Sequence, residues 1–276
     1  MSDNPLMSHM RQETVFVRLP SKGNFYTQKP DLTDDGEIGV RAMTSADEIA
    51  MKVPDALFNG EATYRILKSC CPRIKDPKEM PYNDVDVVLM AIRRATYGNE
   101  LNVPVKCKNT ECNNEQEYIK EIDPLLAQIP LLEDTYTVTV GDLTVYLRPI
   151  DLQSTTQLQI QAVEQIKIND TLATFEGNQD QITSFQNSMR TIADSNTEII
   201  SRCVYIVELP DKKRVEDPKQ IQEWINNIDV ITYNSIMNKL LEIQSVVMKV
   251  VVEGNCVKCN EPFSQPLIVD QSHFFA

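Results

Sequence analysis

Four cysteines in two close pairs constrain this chain more than any other feature. Cys107 and Cys112 lie in VKCKNTECNNEQEY, and Cys256 and Cys259 lie in GNCVKCNEPF. A tetrahedral zinc ion takes four soft ligands at about 2.3 Å, and a short Cys loop presents two thiolates from one tight turn. Each pair is followed by residues of strand character, Tyr118-Ile119 after the first and Pro266-Leu267-Ile268-Val269 after the second. Two knuckles that each run into a strand predict a four-cysteine zinc ribbon. It is discontinuous, with one half from the middle of the chain and the other from its C-terminal end. The Cys-x2-Cys half is the more specific signal, because the Cys-x4-Cys loop is longer than the commonest knuckle. Four thiolates leave no vacancy for water, so a site of Cys107, Cys112, Cys256 and Cys259 is structural rather than catalytic.

Closing so long a loop costs about 4–5 kcal/mol of chain entropy. Structural zinc sites are worth ~10–16 kcal/mol in small peptides, so the metal wins on magnitude. Zinc is the default among thiophilic metals, which the spacing alone does not separate. The competing readings are four unrelated buried thiols or two disulfides, and disulfides need an oxidising compartment. The N-terminal MSDNPLMSHMRQE has neither the basic nor the apolar region of a secretory signal, and no apolar run is long enough to span a bilayer. Reduced thiols in a cytosolic setting are therefore expected.

The 276 residues carry a net charge of −13. That balance disfavours a phosphate-tracking surface, although zinc ribbons are frequent in nucleic-acid machinery. The basic clusters, Arg93-Arg94 and Lys212-Lys213-Arg214, read as solvated surface and lack interleaved aromatics. No Gly-x-Gly-x-x-Gly or Gly-x4-Gly-Lys-Ser/Thr loop is present to cradle phosphate. The two histidines, His9 and His273, lie near the ends and offer a poor start for Ser-His-Asp or Cys-His chemistry. Adjacent Cys70 and Cys71 could supply a nucleophile, but a packed thiol beside one at a helix end is the simpler reading.

Along the chain, residues 1–14 are polar and read as loose. Residues 15–42 read as short strands broken at Pro20-Ser21-Lys22-Gly23 and Asp34-Asp35-Gly36. Thr44 or Ser45 caps a helix ending before Pro54, and Gly60 introduces another reaching Cys70. A helix opening at Asn83 or Asp84 puts Val85, Val88, Leu89 and Ile92 on one face, with Asp84, Asp86, Arg93 and Arg94 on the other. DTYTVTVGDLTVYL, from Asp134 to Leu147, predicts a hairpin turning at Gly141-Asp142.

Residues 151–208 read as mostly helical and rich in Gln, Thr, Ser and Asn, with a break at Glu176-Gly177-Asn178. Their helices would be exposed or buried against partners. Ile200, Cys203, Val204 and Val207 form one stripe, which makes Cys203 a core residue. A short helix holds Trp224, and a last one carries Ile236, Leu240, Ile243, Val247 and Val250. The expected fold is α+β but mainly α: a helical body with a short N-terminal β region, a β-hairpin and the discontinuous zinc ribbon. Its expected division is a loose 1–14, a unit over 15–130 with the first knuckle, and a unit over 131–276 with the second.

The order of these features resembles the T4-type tailed-phage baseplate protein family. The residues that carry the likeness are Leu19-Pro20-Ser21-Lys22-Gly23 with Tyr26, Val40-Arg41-Ala42-Met43-Thr44 and Asp47-Glu48. It continues through Cys70 before a Val/Leu-rich helix, Tyr97-Gly98, the Cys107/Cys112 knuckle and Arg148-Pro149-Ile150. The resemblance covers roughly residues 15–260, and 15–150 most firmly. It implies a non-enzymatic protein of baseplate hub or tail assembly, working in the host cytoplasm or held in the virion tail. Its partners would be other baseplate hub or tail proteins, with no membrane, nucleic acid or small-molecule substrate. A zinc-ribbon protein associated with nucleic acid or transcription is the alternative.

Overall fold

A computed structural model describes residues 6, 9–52, 60–173, 179–246 and 251–266. Strand β1 (Glu13–Arg18) alternates, burying Val15 and Val17 while Thr14 and Phe16 face out. It pairs antiparallel with β2 (Glu37–Arg41), Val17 opposite Ile38. Helix α1 (Ser45–Met51) opens in a capping box: Thr44 Oγ1 accepts from the Asp47 N–H, and the Asp47 carboxylate accepts from the Thr44 N–H at 2.9 Å. Helix α2 (Glu61–Cys70) follows a Gly60 held at φ 72°. Helix α3 (Tyr82–Tyr97) packs on the β1–β2 pair and is buried along Val85, Val87, Val88, Leu89, Met90, Ala91 and Ile92. Its apolar surface is therefore wider than the single stripe its spacing predicts.

Asp84, expected on the polar side of α3, is fully buried. Its carboxylate accepts from the Ser21 N–H at 2.8 Å, from the Ser21 hydroxyl, and from the Tyr26 hydroxyl at 2.8 Å. The loop that supplies these donors turns through three left-handed residues, Lys22 (φ 57°), Gly23 (φ 77°) and Phe25 (φ 70°). Its far side meets the second half of the chain. The Leu132 N–H donates to Pro20 O at 2.8 Å, Lys22 Nζ pairs with Asp134 at 2.8 Å, and the Phe25 ring lies 6.2 Å from that of Tyr136.

That second half forms its own apolar core around an antiparallel sheet of order β5-β6-β7-β8, with β5 (Tyr136–Val140), β6 (Leu143–Leu147), β7 (Val204–Glu208) and β8 (Arg214–Val215). The short α4 (Ile122–Ala127) precedes it. Helices α5 (Leu152–Ala173) and α6 (Gln179–Cys203) leave the sheet and return to it, and an Asp151–Arg202 ion pair at 2.7 Å closes their common root. Helices α7 (Pro218–Ile225) and α8 (Val230–Gln244) are capped by Asp217 and Asp229, and they bury Ile221, Ile225, Ile236, Leu240 and Ile243. Three contacts lock the two cores together. The Tyr82 N–H donates to Ile150 O, the Leu152 N–H donates to Met80 O, and the buried Asn83 amide caps α8 by donating to Ile243 O at 3.1 Å and Gln244 O at 3.2 Å.

The expectation of a mainly α protein is overturned: the chain is 45% helix and 23% strand, a mixed α+β fold with several antiparallel sheets. Val204 and Val207, read as the end of a helical stripe, belong to β7. The helix stops at Cys203, and Val204-Tyr205-Ile206-Val207 enters the sheet against β6. A run so rich in β-branched and aromatic residues satisfies either period, and the free edge of β6 decides it. Glu176-Gly177-Asn178, Val247, Val250, Leu267-Ile268-Val269 and His273 lie outside the described residues.

Burial pushes the Asp84 carboxyl up to about 6, against hydrogen bonds from Ser21 and Tyr26 that favour its ionised form. A raised folded-state pKa contributes stability that is fully present below about pH 4 and is lost as pH rises through the folded value. Between pH 4 and 6.5 the native protein should therefore lose roughly 2–3 kcal/mol relative to Asp84→Asn, read from urea melts of both chains across the range. A difference that stays constant with pH would show that Asp84 titrates as it does in the unfolded chain.

Candidate metal centre

Two hairpins build the site. Strands β3 (Glu100–Lys106) and β4 (Glu115–Glu121) pair antiparallel from Glu100 opposite Glu121 to Lys106 opposite Glu115. Leu101, Val103 and Val105 of β3 are buried in the first core, and the hairpin's turn carries Cys107 and Cys112. Strands β9 (Val251–Asn255) and β10 (Pro262–Pro266) make the second hairpin, with Cys256 and Cys259 in its turn. Val252 and Phe263 seat this hairpin on the first core, not on the one that precedes it in sequence.

Close contacts fix the register between the hairpins. Tyr118 meets Phe263 edge to face at 5.3 Å. Gly254 runs beneath that pair so closely that a Cβ would fall 2.7 Å from the Tyr118 ring and 2.8 Å from that of Phe263. Gln116 reaches across, accepting from the Val257 N–H at 2.9 Å and donating to Asn255 O at 3.4 Å. Gln265 donates to Pro104 O at 3.0 Å.

These contacts bring the two turns face to face, and the Sγ atoms of Cys107, Cys112, Cys256 and Cys259 all lie within 4.8 Å of one another. Cys107 and Cys259 are 3.5 Å apart, and Cys112 and Cys256 are 4.0 Å apart. A regular tetrahedron of sulfurs at about 2.3 Å from its centre has edges of about 3.8 Å, so the group could hold a metal ion with little movement. All four residues singled out in the sequence are thus brought together.

The backbone around them is arranged for negative sulfur. Backbone N–H groups of Cys259 and Lys258 pull the Cys256 thiol down to about 6. Cys107 is pushed up to about 12: the Asn109 N–H favours its thiolate, but loss of water and the neighbouring Cys259, Cys256 and Cys112 sulfurs outweigh it. Removal from water also raises Cys112. One thiolate is thus favoured and further ones resisted, which is how four crowded sulfurs behave before a cation compensates their charge.

The sequence carries one further signal that ligand spacing alone does not use. Each pair ends in Cys-Asn, and both asparagines adopt the left-handed conformation, Asn113 at φ 44° and Asn260 at φ 59°. Asn tolerates this region far better than branched residues do. The left-handed step turns the chain back after the second cysteine, so that the Asn113 N–H donates to Asn109 O and the Asn260 N–H to Cys256 O. The longer first loop therefore closes in the same way as the shorter second one.

The remaining candidates fall elsewhere. Cys70 and Cys71 are buried under β1–β2, and burial pushes their thiols up to about 11 and about 12, the reverse of an activated nucleophile. Cys203 is a core residue at about 12 for the same reason. His9 is exposed in the N-terminal segment. An open cleft of about 440 Å³ between the cores, lined by Phe25, Glu79, Arg148, Asp151, Arg202 and Tyr205, contains neither thiol nor imidazole. The ribbon hairpins carry Glu100, Glu111, Glu115, Glu117, Glu121, Glu253 and Glu261 against Lys106, Lys108, Lys120 and Lys258, which is not a basic face. Among the described residues no helix is long and apolar enough to cross a membrane.

Geometry thus defines a two-core α+β protein bearing a four-thiol ribbon. The family model described as T4 bacteriophage base plate protein matches residues 12–276, and the chain belongs to that family. No curated protein and no solved structure matches it.

The left-handed asparagines generate a test. Asn260→Val should speed hydrogen exchange at the second knuckle by about fivefold or more, as expected for a strain of about 1–3 kcal/mol, whereas Asn260→Gly should leave it within about twofold. Equal exchange in the two variants would remove the conformational role assigned to this position.

Proposed function

We propose that this protein is a non-enzymatic component or assembly factor of the phage baseplate hub and tail, acting through protein–protein contacts and stapled by a structural zinc ion. The family match over residues 12–276 carries the reading. The four-thiol cluster supports the metal, since its edges bracket those of a zinc ion in four sulfurs and leave no ligand position open. Cys107, Cys112, Cys256 and Cys259 would bind the ion and do no chemistry on a substrate. The second core, from Leu132 to Ile243, supports a unit beginning near 131. The C-terminal hairpin, through Val252 and Phe263, belongs with the first core, and the metal would join the two knuckles within that first unit. Assembly in the host cytoplasm, before or during incorporation into the tail, fits reduced thiols.

Purified protein should contain one zinc ion per chain, and Cys256→Ser should lose metal and thermal stability together. A variant that keeps its metal and melts unchanged would overturn the structural-zinc reading. Quantitative mass spectrometry of purified particles against infected-cell lysate then reads the role. A fixed, small copy number per tail makes the protein a hub subunit, and abundance in lysate with absence from particles makes it an assembly factor. Absence from particles together with failure to co-purify with any tail intermediate would defeat the proposal.

A further inference from the structure

Helices α5 and α6 form an arm whose root is buried and whose length is not. At the root, Leu152, Ser154 and Thr155 of α5 and Ile199, Ile200 and Cys203 of α6 are buried. Farther out, Ile168 is the only buried side chain described from 156 to 169, and none of those described from 182 to 198 is buried. Ile182, Phe185, Ser188, Ile192, Ser195 and Asn196 of α6 repeat at helical spacing and are each only half covered. One neighbouring helix shields one flank of such a stripe; a four-helix bundle shields both.

The composition of the arm indicates what covers it. In a chain of net charge −13, residues 152–163 contain no charged side chain and residues 181–193 contain only Arg190. Gln, Asn and Thr hold many of the outward positions (Gln159, Gln165, Asn169, Thr183, Gln186, Asn187 and Thr191), beside an exposed Arg190–Asp194 pair. Each amide or hydroxyl carries both donor and acceptor capacity, so such a surface can match a copy of itself. The amide oxygen of Gln157 and the amide nitrogen of Gln161, one turn apart, are withdrawn from water without a hydrogen-bond partner. Ile160, Ile166 and Met189 stand exposed among these polar residues at 38%, 59% and 43%. The chain as a whole carries 40 carboxylates against 27 Lys and Arg, and this excess repels a second copy. The arm's exposed charges are few and of both signs, so two copies meet least repulsion there.

We infer that the α5–α6 arm is a self-association surface, pairing with the same arm of a second copy in a two-fold four-helix bundle. The interface is isologous: each arm presents the same amide-rich face and receives it. This goes beyond the assembly role proposed above and does not depend on the metal.

Sedimentation equilibrium of the full metal-loaded chain tests it. The native protein should show a reversible dimer. Ile166→Glu and Met189→Glu, both at exposed positions, should each weaken dimerisation at least tenfold while leaving circular dichroism and melting unchanged. Raising salt should strengthen the dimer, because it screens repulsion between the acidic bodies while a seam with few charges loses little. A monomer across the micromolar range, a dimer indifferent to both substitutions, or a dimer weakened by salt would each overturn the assignment.

Discussion

One buried carboxylate holds this structure in register. Asp84 sits in the first turn of α3 with three donors on it, two from Ser21 and one from Tyr26. Its environment is apolar, so each donor matters: leaving a buried polar group unsatisfied costs about 1–3 kcal/mol, more for a charge, while an exposed ion pair such as Lys22–Asp134 is worth about 0–1. The loop so pinned passes from Leu19, in the first core, to Phe25, against the second. Its other face takes up Leu132 and Asp134, where the second core begins. Fixing Ser21 against Asp84 therefore helps set how the second core meets the first, alongside Tyr82 and Asn83. It also gives the Leu19-Pro20-Ser21-Lys22-Gly23 string with Tyr26 a physical meaning: they form the cradle of a buried acid, with Lys22 and Gly23 supplying the left-handed turn that aims both Ser21 donors inward.

Local signals were legible where one interaction dominates. Thr44 and Asp47 announce α1, because a capping box satisfies two orphan backbone donors whatever lies around it. Gly141-Asp142 announces the β5–β6 hairpin, and the paired cysteines announce the knuckles. Long-range facts were not legible. Asp84 reads as a solvated helix residue because its partners lie some sixty positions upstream in a loop. The strand at Glu115 to Glu121 is legible from Tyr118-Ile119, but its pairing with β3 and the meeting of Tyr118 with Phe263 from the far end of the chain are not. The share of strand was underestimated at β3, whose partner lies beyond the first knuckle, and at β7 and β8, which extend the β5–β6 hairpin from residues read as helix and loop.

The cost of assembling the four thiols is smaller than their separation in sequence implies. Cys112 and Cys256 are 144 positions apart. Asn83, however, already grips the end of α8 at Ile243 and Gln244, so only a short stretch separates a fixed point from the second knuckle. Loop-closure entropy grows logarithmically, and shortening the effective loop this much saves about 1–2 kcal/mol. Val252, Phe263 and Gly254 contribute docking contacts before any ion is considered. What remains for a metal is to relieve the repulsion of crowded thiolates. Backbone N–H groups of Cys259 and Lys258 hold the Cys256 thiol low at about 6, while loss of water and the neighbouring sulfurs push Cys107 up to about 12.

Surface chemistry separates what stays apart from what comes together. Net charge of −13 keeps copies of the chain from indiscriminate contact. An amide-rich helical face permits selective contact instead. Each amide exchanges water for another amide at a net gain of only about 0.5–1.5 kcal/mol, so a partial or misaligned encounter is weak. A fully registered pairing sums many such exchanges and covers the half-exposed Ile182, Phe185 and Ile192 as well. A mismatched partner instead strands amides without partners, which turns modest attraction into discrimination. Such contacts select by completeness of register.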